Sequence, residues 1–154
     1  MATMQQPVVG FSWETAVDLS NKENRSRLSP AAIKGMVRIA EHWKLRDNDT
    51  RALLGGISSG SFYALKSRGG KALDAKVPDA RILDEDQLTR ISLVVGIYKA
   101  LNILYSQKLA DAWITLPNTN PMFAGNSPLS YIKSGGIPAF LRVRQLLDAR
   151  RGGR

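Results

Sequence analysis

The sequence predicts an all-α fold, and three observations carry that prediction. No alternation of apolar and polar residues persists anywhere in the 154 residues, whereas apolar residues recur at helical spacing in several long segments. Those segments open on capping signals (Ser29-Pro30, Asp84, Ser127-Pro128) and close on glycine pairs at 55–56, 69–70 and 135–136. The stretch from Leu83 to Ser106 is apolar on two sides, the pattern of a central helix or an interface.

Residues 1–27 read as a partly ordered N-terminal arm with one short helix near Trp13–Leu19. A first helix is predicted from Ser29 to Lys44, because Ser29 can cap free amides, Pro30 suits the first helical position and Leu28 can pack on Ile33. Ile33, Met36, Val37, Ala40 and Trp43 then share one stripe. A second helix, Asp49–Leu54, is capped by Asp47 or Asn48 and stopped by Gly55-Gly56, since glycine accepts the left-handed conformation of a helix stop. Ile57 plugs the turn, and Ser58 caps a third helix that points Phe62 and Leu65 inward and ends at Arg68-Gly69-Gly70. Residues 71–82, with Pro78 and no sustained period, read as a linker.

Asp84 and Gln87 are spaced as a capping box for the long helix, with Leu83 facing Leu88 as its staple. Its stripes are Leu88, Ile91, Val94, Val95, Tyr98, Leu101, Leu104 and Tyr105 on one side and Leu93, Ile97, Ala100 and Ile103 on the other. Gln107–Leu116 is predicted as a helix burying Leu109, Ala112, Trp113 and Leu116, stopped by Pro117. An irregular loop with Met122 and Phe123 follows, then a short helix from Ser127-Pro128 through Lys133, closed by Gly135-Gly136. Pro138 opens the last helix, lined by Phe140, Val143 and Leu147.

Composition narrows the function. The single histidine, His42, and the absence of cysteine leave zinc sites and nucleophile–histidine arrangements without parts, so the chain is expected not to be an enzyme and to need no cofactor or metal. Asp84, Glu85 and Asp86 lie in a first helical turn, where they favour the macrodipole. No apolar run reaches the roughly 20 residues that span a bilayer, so a cytoplasmic protein without membrane contact is expected. The net charge of +9 suits a nucleic-acid binder, although basic residues also cluster toward the end: Lys133, Arg142, Arg144, Arg150, Arg151 and Arg154.

Residues 47–68 have the layout of a helix-turn-helix, with a small residue at Ala52, Gly56 at the turn, and Ile57, Phe62 and Leu65 inward. Arg51 and Gly55 stand where a typical unit is apolar, so Leu53 and Leu54 must fill the core. The residues expected to face DNA are Ser59, Ser61, Tyr63, Lys66, Ser67, Arg68 and Lys71. Serines and a tyrosine offer modest base readout, while the lysines and Arg68 suit phosphates.

The order of elements also resembles a known family. Ala52-Leu53-Leu54-Gly55-Gly56-Ile57-Ser58, the long helix from Leu83, Trp113 before Pro117, the loop Pro121-Met122-Phe123-Ala124-Gly125-Asn126-Ser127-Pro128-Leu129-Ser130-Tyr131, and the closing Gly135-Gly136, Val143, Leu147 and Gly152 are similar to those of Xre/MbcA/ParS-type antitoxins. The resemblance implies an Xre-like helix-turn-helix domain at 28–70 and a toxin-binding domain at 83–154 with a basic end. It further implies a RES-domain toxin that consumes NAD as partner, operator DNA as a second partner, autorepression of the operon, and a homodimer. Under it, the toxin-contacting candidates are Phe123, Tyr131, Ile132 and Leu147 as apolar anchors, and Arg150, Arg151 and Arg154, of which one or another reaches into the toxin's active-site pocket. The alternative is a DNA-binding regulator whose second domain serves only oligomerisation.

Overall fold

The structure, a computed structural model, describes residues 17–68 and 82–152, the side chains of Ser67 and Arg68 excepted. Trp13–Ala16 of the expected arm helix, residues 71–81 of the linker, and Arg154 lie outside the described residues. The chain is all-α as predicted: α1 (Lys22–His42), α2 (Asp47–Leu53), α3 (Ser59–Arg68), α4 (Glu85–Leu104), α5 (Gln107–Trp113), a 3-10 turn at Pro121–Phe123, and α6 (Pro128–Arg151). No strand occurs among the described residues.

α1 begins well before the predicted cap at Ser29. Asn21 caps it instead, accepting the Asn24 amide at 3.1 Å. The Arg25 guanidinium folds back onto the carbonyls of Leu19 and Ser20 at 2.9 and 3.0 Å, which holds Val17–Ser20 in a turn rather than in the expected arm helix. Pro30 therefore lies inside the helix. The hydrogen bond it forfeits would have gone to the carbonyl of Ser26, an exposed residue that water can satisfy. Ser29 serves instead as a tie between α1 and the entrance of α4. Its buried hydroxyl donates to the Arg25 carbonyl at 2.6 Å and accepts the Leu83 amide at 2.9 Å.

The turn between α2 and α3 follows the sequence reading closely. Gly55 and Gly56 have φ of +98° and +85°, Ser58 accepts the Ser61 amide at 3.0 Å, and Leu53, Leu54, Phe62 and Leu65 are buried. The structure also explains the two atypical positions. Arg51 donates to the Ile57 carbonyl at 2.9 Å and so braces the turn. At Gly55 a Cβ would stand 3.3 Å from both Arg90 Nε and Asp86 Oδ2, so the missing side chain lets α4 approach the turn.

α4 opens on the predicted box, with Asp84 accepting the Gln87 amide at 2.7 Å and Gln87 accepting the Asp84 amide at 2.9 Å. It packs between α1 and α6, which accounts for its two apolar sides. Ile91, Val94, Ile97 and Leu101 meet Met36 and Ile39 of α1 and Phe140, Val143 and Leu147 of α6 in one continuous core. Full burial of a side chain of this size contributes about 1.5–3 kcal/mol.

α5 departs from its predicted face. It is shorter than expected, ending at Trp113, and it buries Ala110, Trp113 and the following Ile114. Leu109 and Leu116 are 42% and 49% exposed, because the buried face of α5 is made by Ala110, Trp113 and the following Ile114, which leaves Leu109 at its edge, and Leu116 lies beyond the helix end. α6 is divided at Gly136, whose φ of 66° and ψ of −151° are non-helical, so the two helices predicted on either side of Gly135-Gly136 are present as two arms of one bent element. Ser127 caps the first arm, accepting the Ser130 amide at 3.1 Å.

Candidate functional site

The residues proposed to face DNA sit on α3 as expected where they are described. Ser59, Ser61, Tyr63 and Lys66 are exposed, and Tyr63 at 71% is the most exposed of the large apolar and aromatic side chains among the described residues. Lys66 is not a free phosphate ligand, since its ammonium lies 3.4 Å from Asp47 and 5.2 Å from the centre of the Phe62 ring. Ser67 and Arg68 complete α3 by their backbone, and Lys71 lies outside the described residues.

The residues proposed to face the toxin divide differently. Phe123, Ile132 and Leu147 are 1%, 2% and 0% exposed, so they form this chain's own core and leave almost no surface for a partner. The loop explains why Phe123 turns in. Asn118 and Asn120 satisfy loop amides with their side chains, the left-handed pair Ala124-Gly125 reverses the chain, and Phe123 is pressed edge-on between Trp113 and Tyr131, at 6.1 and 5.3 Å between ring centres. Tyr131 is half-buried, and its hydroxyl accepts from Arg142 at 3.3 Å.

The basic end is partly anchored. Arg150 is half-buried and donates to the Tyr105 hydroxyl at 2.9 Å, which fixes α6 to the end of α4. Arg144 crosses α4 at Gly96, where any Cβ would collide with its guanidinium, and pairs with Asp148 at 3.1 Å. Arg151 is exposed, 3.7 Å from the same carboxylate. Of the predicted toxin-facing arginines, Arg151 is therefore the one presented outward among the described residues.

A further feature has no counterpart in the sequence reading. Where the end of α1 and the start of α2 meet α5 and α6, a groove of about 740 Å³ opens, lined by His42, Lys44, Arg46 and Asp49 from one side and Lys108, Asp111 and Lys133 from the other. Lys133 is ion-paired with Asp49, and His42 Nδ1 lies 3.5 Å from Asp111. The two walls come from residues 42–49 and 108–133, far apart in the chain, so no local spacing could announce their convergence. Beside His42, the phenol of Tyr98 packs against the rings of His42 and Trp43 at 5.7 and 6.3 Å. Its burial, helped by the nearby Asp111 carboxylate, raises its pKa above the ordinary tyrosine value.

Residues 100–153, which include α5, the pinned loop and all of α6, match the antitoxin Xre/MbcA/ParS C-terminal toxin-binding domain. This C-terminal third of the chain is similar to that toxin-binding domain family. Over 135 residues the chain is 36% identical to the uncharacterized protein y4oB of Sinorhizobium fredii (strain NBRC 101917 / NGR234), an alignment covering 87% of this chain and 95% of that protein. No solved structure matches it. The matched residues thus include the half of the groove built from Lys108, Asp111 and Lys133, and both Arg150 and Arg151. No helix among the described residues is long and apolar enough to cross a membrane.

Proposed function

We propose that this antitoxin neutralises a RES-domain toxin that degrades NAD, and that it represses its own operon by binding operator DNA as a homodimer. It has no enzymatic activity in this reading and works in the cytoplasm, where such a toxin would find its substrate. The observation that carries the proposal is the coupling of a toxin-binding antitoxin domain at 100–153 to a pair of short helices joined by a glycine turn. α3 presents its polar side to the major groove with Ser59, Ser61 and Tyr63, while Lys66, Arg68 and Lys71 meet phosphates once Lys66 exchanges Asp47 for the backbone. In the toxin-binding domain the core residues Phe123, Ile132 and Leu147 hold the surface in shape. Arg151 and Arg154 then supply the charge that enters the active site, with the exposed Leu109 and Leu116 as apolar contacts.

The test is to express the RES-domain toxin with the full-length chain or with a form ending at Leu147, and to follow growth and cellular NAD. Full-length protein preserves NAD; failure to do so sinks the proposal. Loss of protection on truncation is the expected result, and complete protection by the short form would remove the terminal arginines from the mechanism. Operator binding by Lys66→Ala with Arg68→Ala, followed against salt, addresses the DNA contact: the slope falls by about 2 if both meet phosphate.

A further inference from the structure

The groove between α1–α2 and α5–α6 has an imbalance that suggests its ligand. Its two carboxylates are engaged: Asp49 accepts the Arg46 amide and pairs with Lys133, and Asp111 accepts from Gln107 at 2.8 Å and lies beside His42. Three of its cations are not. Lys44, Arg46 and Lys108 are exposed and make no ion pair among the described residues. Lys44 is held at the rim by a left-handed backbone, with φ of 56°, which directs the chain sharply from α1 into α2. The groove therefore offers donors and positive charge, and its acceptors are already used. A volume of about 740 Å³ suits a short segment of chain with its side chains.

We infer that this groove receives an acidic segment of the toxin, whose carboxylates pair with Lys44, Arg46 and Lys108. Charge complementarity identifies the occupant's chemistry, and continuity identifies its source, because one wall belongs to the toxin-binding domain itself. The other wall belongs to the α1–α2 corner, from which α2 leads into the glycine turn. A toxin seated here touches both halves of the antitoxin at once, so bound toxin and the position of α2 become linked. The inference rests on the proposed toxin partnership.

The experiment is a titration of full-length protein with purified RES-domain toxin, comparing wild type with Arg46→Glu/Lys108→Glu and with Arg46→Gln/Lys108→Gln. A control, Arg27→Glu/Lys34→Glu, makes the same change in net charge on α1 away from the groove. Both mutated groove side chains are exposed and free of ion pairs among the described residues, so thermal unfolding should be unaltered. The expected result is a loss of toxin affinity of roughly tenfold or more for the glutamate pair and a smaller loss for the glutamine pair, each diminishing at high salt, with the control unaffected. Unchanged toxin affinity in both groove variants overturns the inference. So does a selective loss of operator affinity, which would assign the cations to DNA phosphates. Failure of the wild-type protein to bind the toxin would instead overturn the proposed function.

Discussion

The outward sides of α3 and α6 present their polar groups in opposite ways. On α3, Ser59, Ser61 and Tyr63 project from a helix whose exposed groups are mostly small and whose one described cation folds back onto Asp47. On α6, each described arginine is already held: Arg142 by Tyr131, Arg144 and Arg151 by Asp148, Arg150 by Tyr105. Ordering a long side chain costs about 0.5–1.5 kcal/mol on binding, and α6 has met much of that cost within its own fold. Under the proposed function, the contrast means that α6 offers its partner a surface already ordered, whereas α3 orders its side chains on binding.

The sharpest way to break that contrast is to remove its support on one side only. Phe123→Ala deletes a ring packed between Trp113 and Tyr131 and should cost about 3–5 kcal/mol of stability, read from the urea midpoint. Toxin protection would fall with it, because the loop that carries the arm of α6 loses its anchor. Tyr63→Ala, on the exposed side of α3, should move stability by no more than about 0.5 kcal/mol while weakening operator binding. If both substitutions had similar effects on stability, the distinction between a prepared and an adaptable surface would be lost.

A smaller effect is expected at the joint between the two regions. Ser29→Ala leaves the buried Leu83 amide without its acceptor and should cost about 1–3 kcal/mol. The loss would appear as faster hydrogen exchange of the Leu83 and Leu88 amides before any change at Phe123. An effect confined to α1, with those amides still protected, would show that α4 does not depend on this contact.

How much of the molecule is legible in its sequence follows from the range of the interactions involved. The capping box at Asp84, the inward pair Phe62 and Leu65, the glycine turn and the break at Gly136 are legible because each is decided by residues within a turn or two of one another. Ser29-Pro30 misleads for an instructive reason: the same two residues make a good helix start and a tolerable helix interior, and Asn21 with Arg25 decides between them. Leu109 and Leu116 are expected inside but lie outside because apolar spacing fixes a face only to within a residue or so: Ala110 and Ile114 shift the buried face of α5 away from Leu109, and Leu116 lies beyond the helix end. The same ambiguity makes Phe123, Ile132 and Leu147 look like partner contacts when they are core. The groove is invisible in the sequence altogether, since Lys44, Arg46 and Lys108 come together only when α5 folds back beside the end of α1.

A smaller effect at this joint lies at alkaline pH and probes it from its other end. Tyr98 is buried on α4 against His42 and Trp43 of the α1 end, and its pKa is raised by that burial and by Asp111. A raised folded value means the native state keeps a proton that the unfolded chain releases near the ordinary tyrosine pKa of about 10. The stabilisation is therefore complete below that pH and is lost as pH rises toward the folded value. Tyr98→Phe removes the titrating group, so its urea midpoint should decline less between about pH 9 and 11 than that of the wild type. At neutral pH the variant loses only the phenol's own hydrogen bonding, about 0.5–1.5 kcal/mol. Parallel alkaline declines in the two proteins would mean that the joint between α1 and α4 opens before Tyr98 ionises, and that the two regions are held together less firmly than their shared core implies.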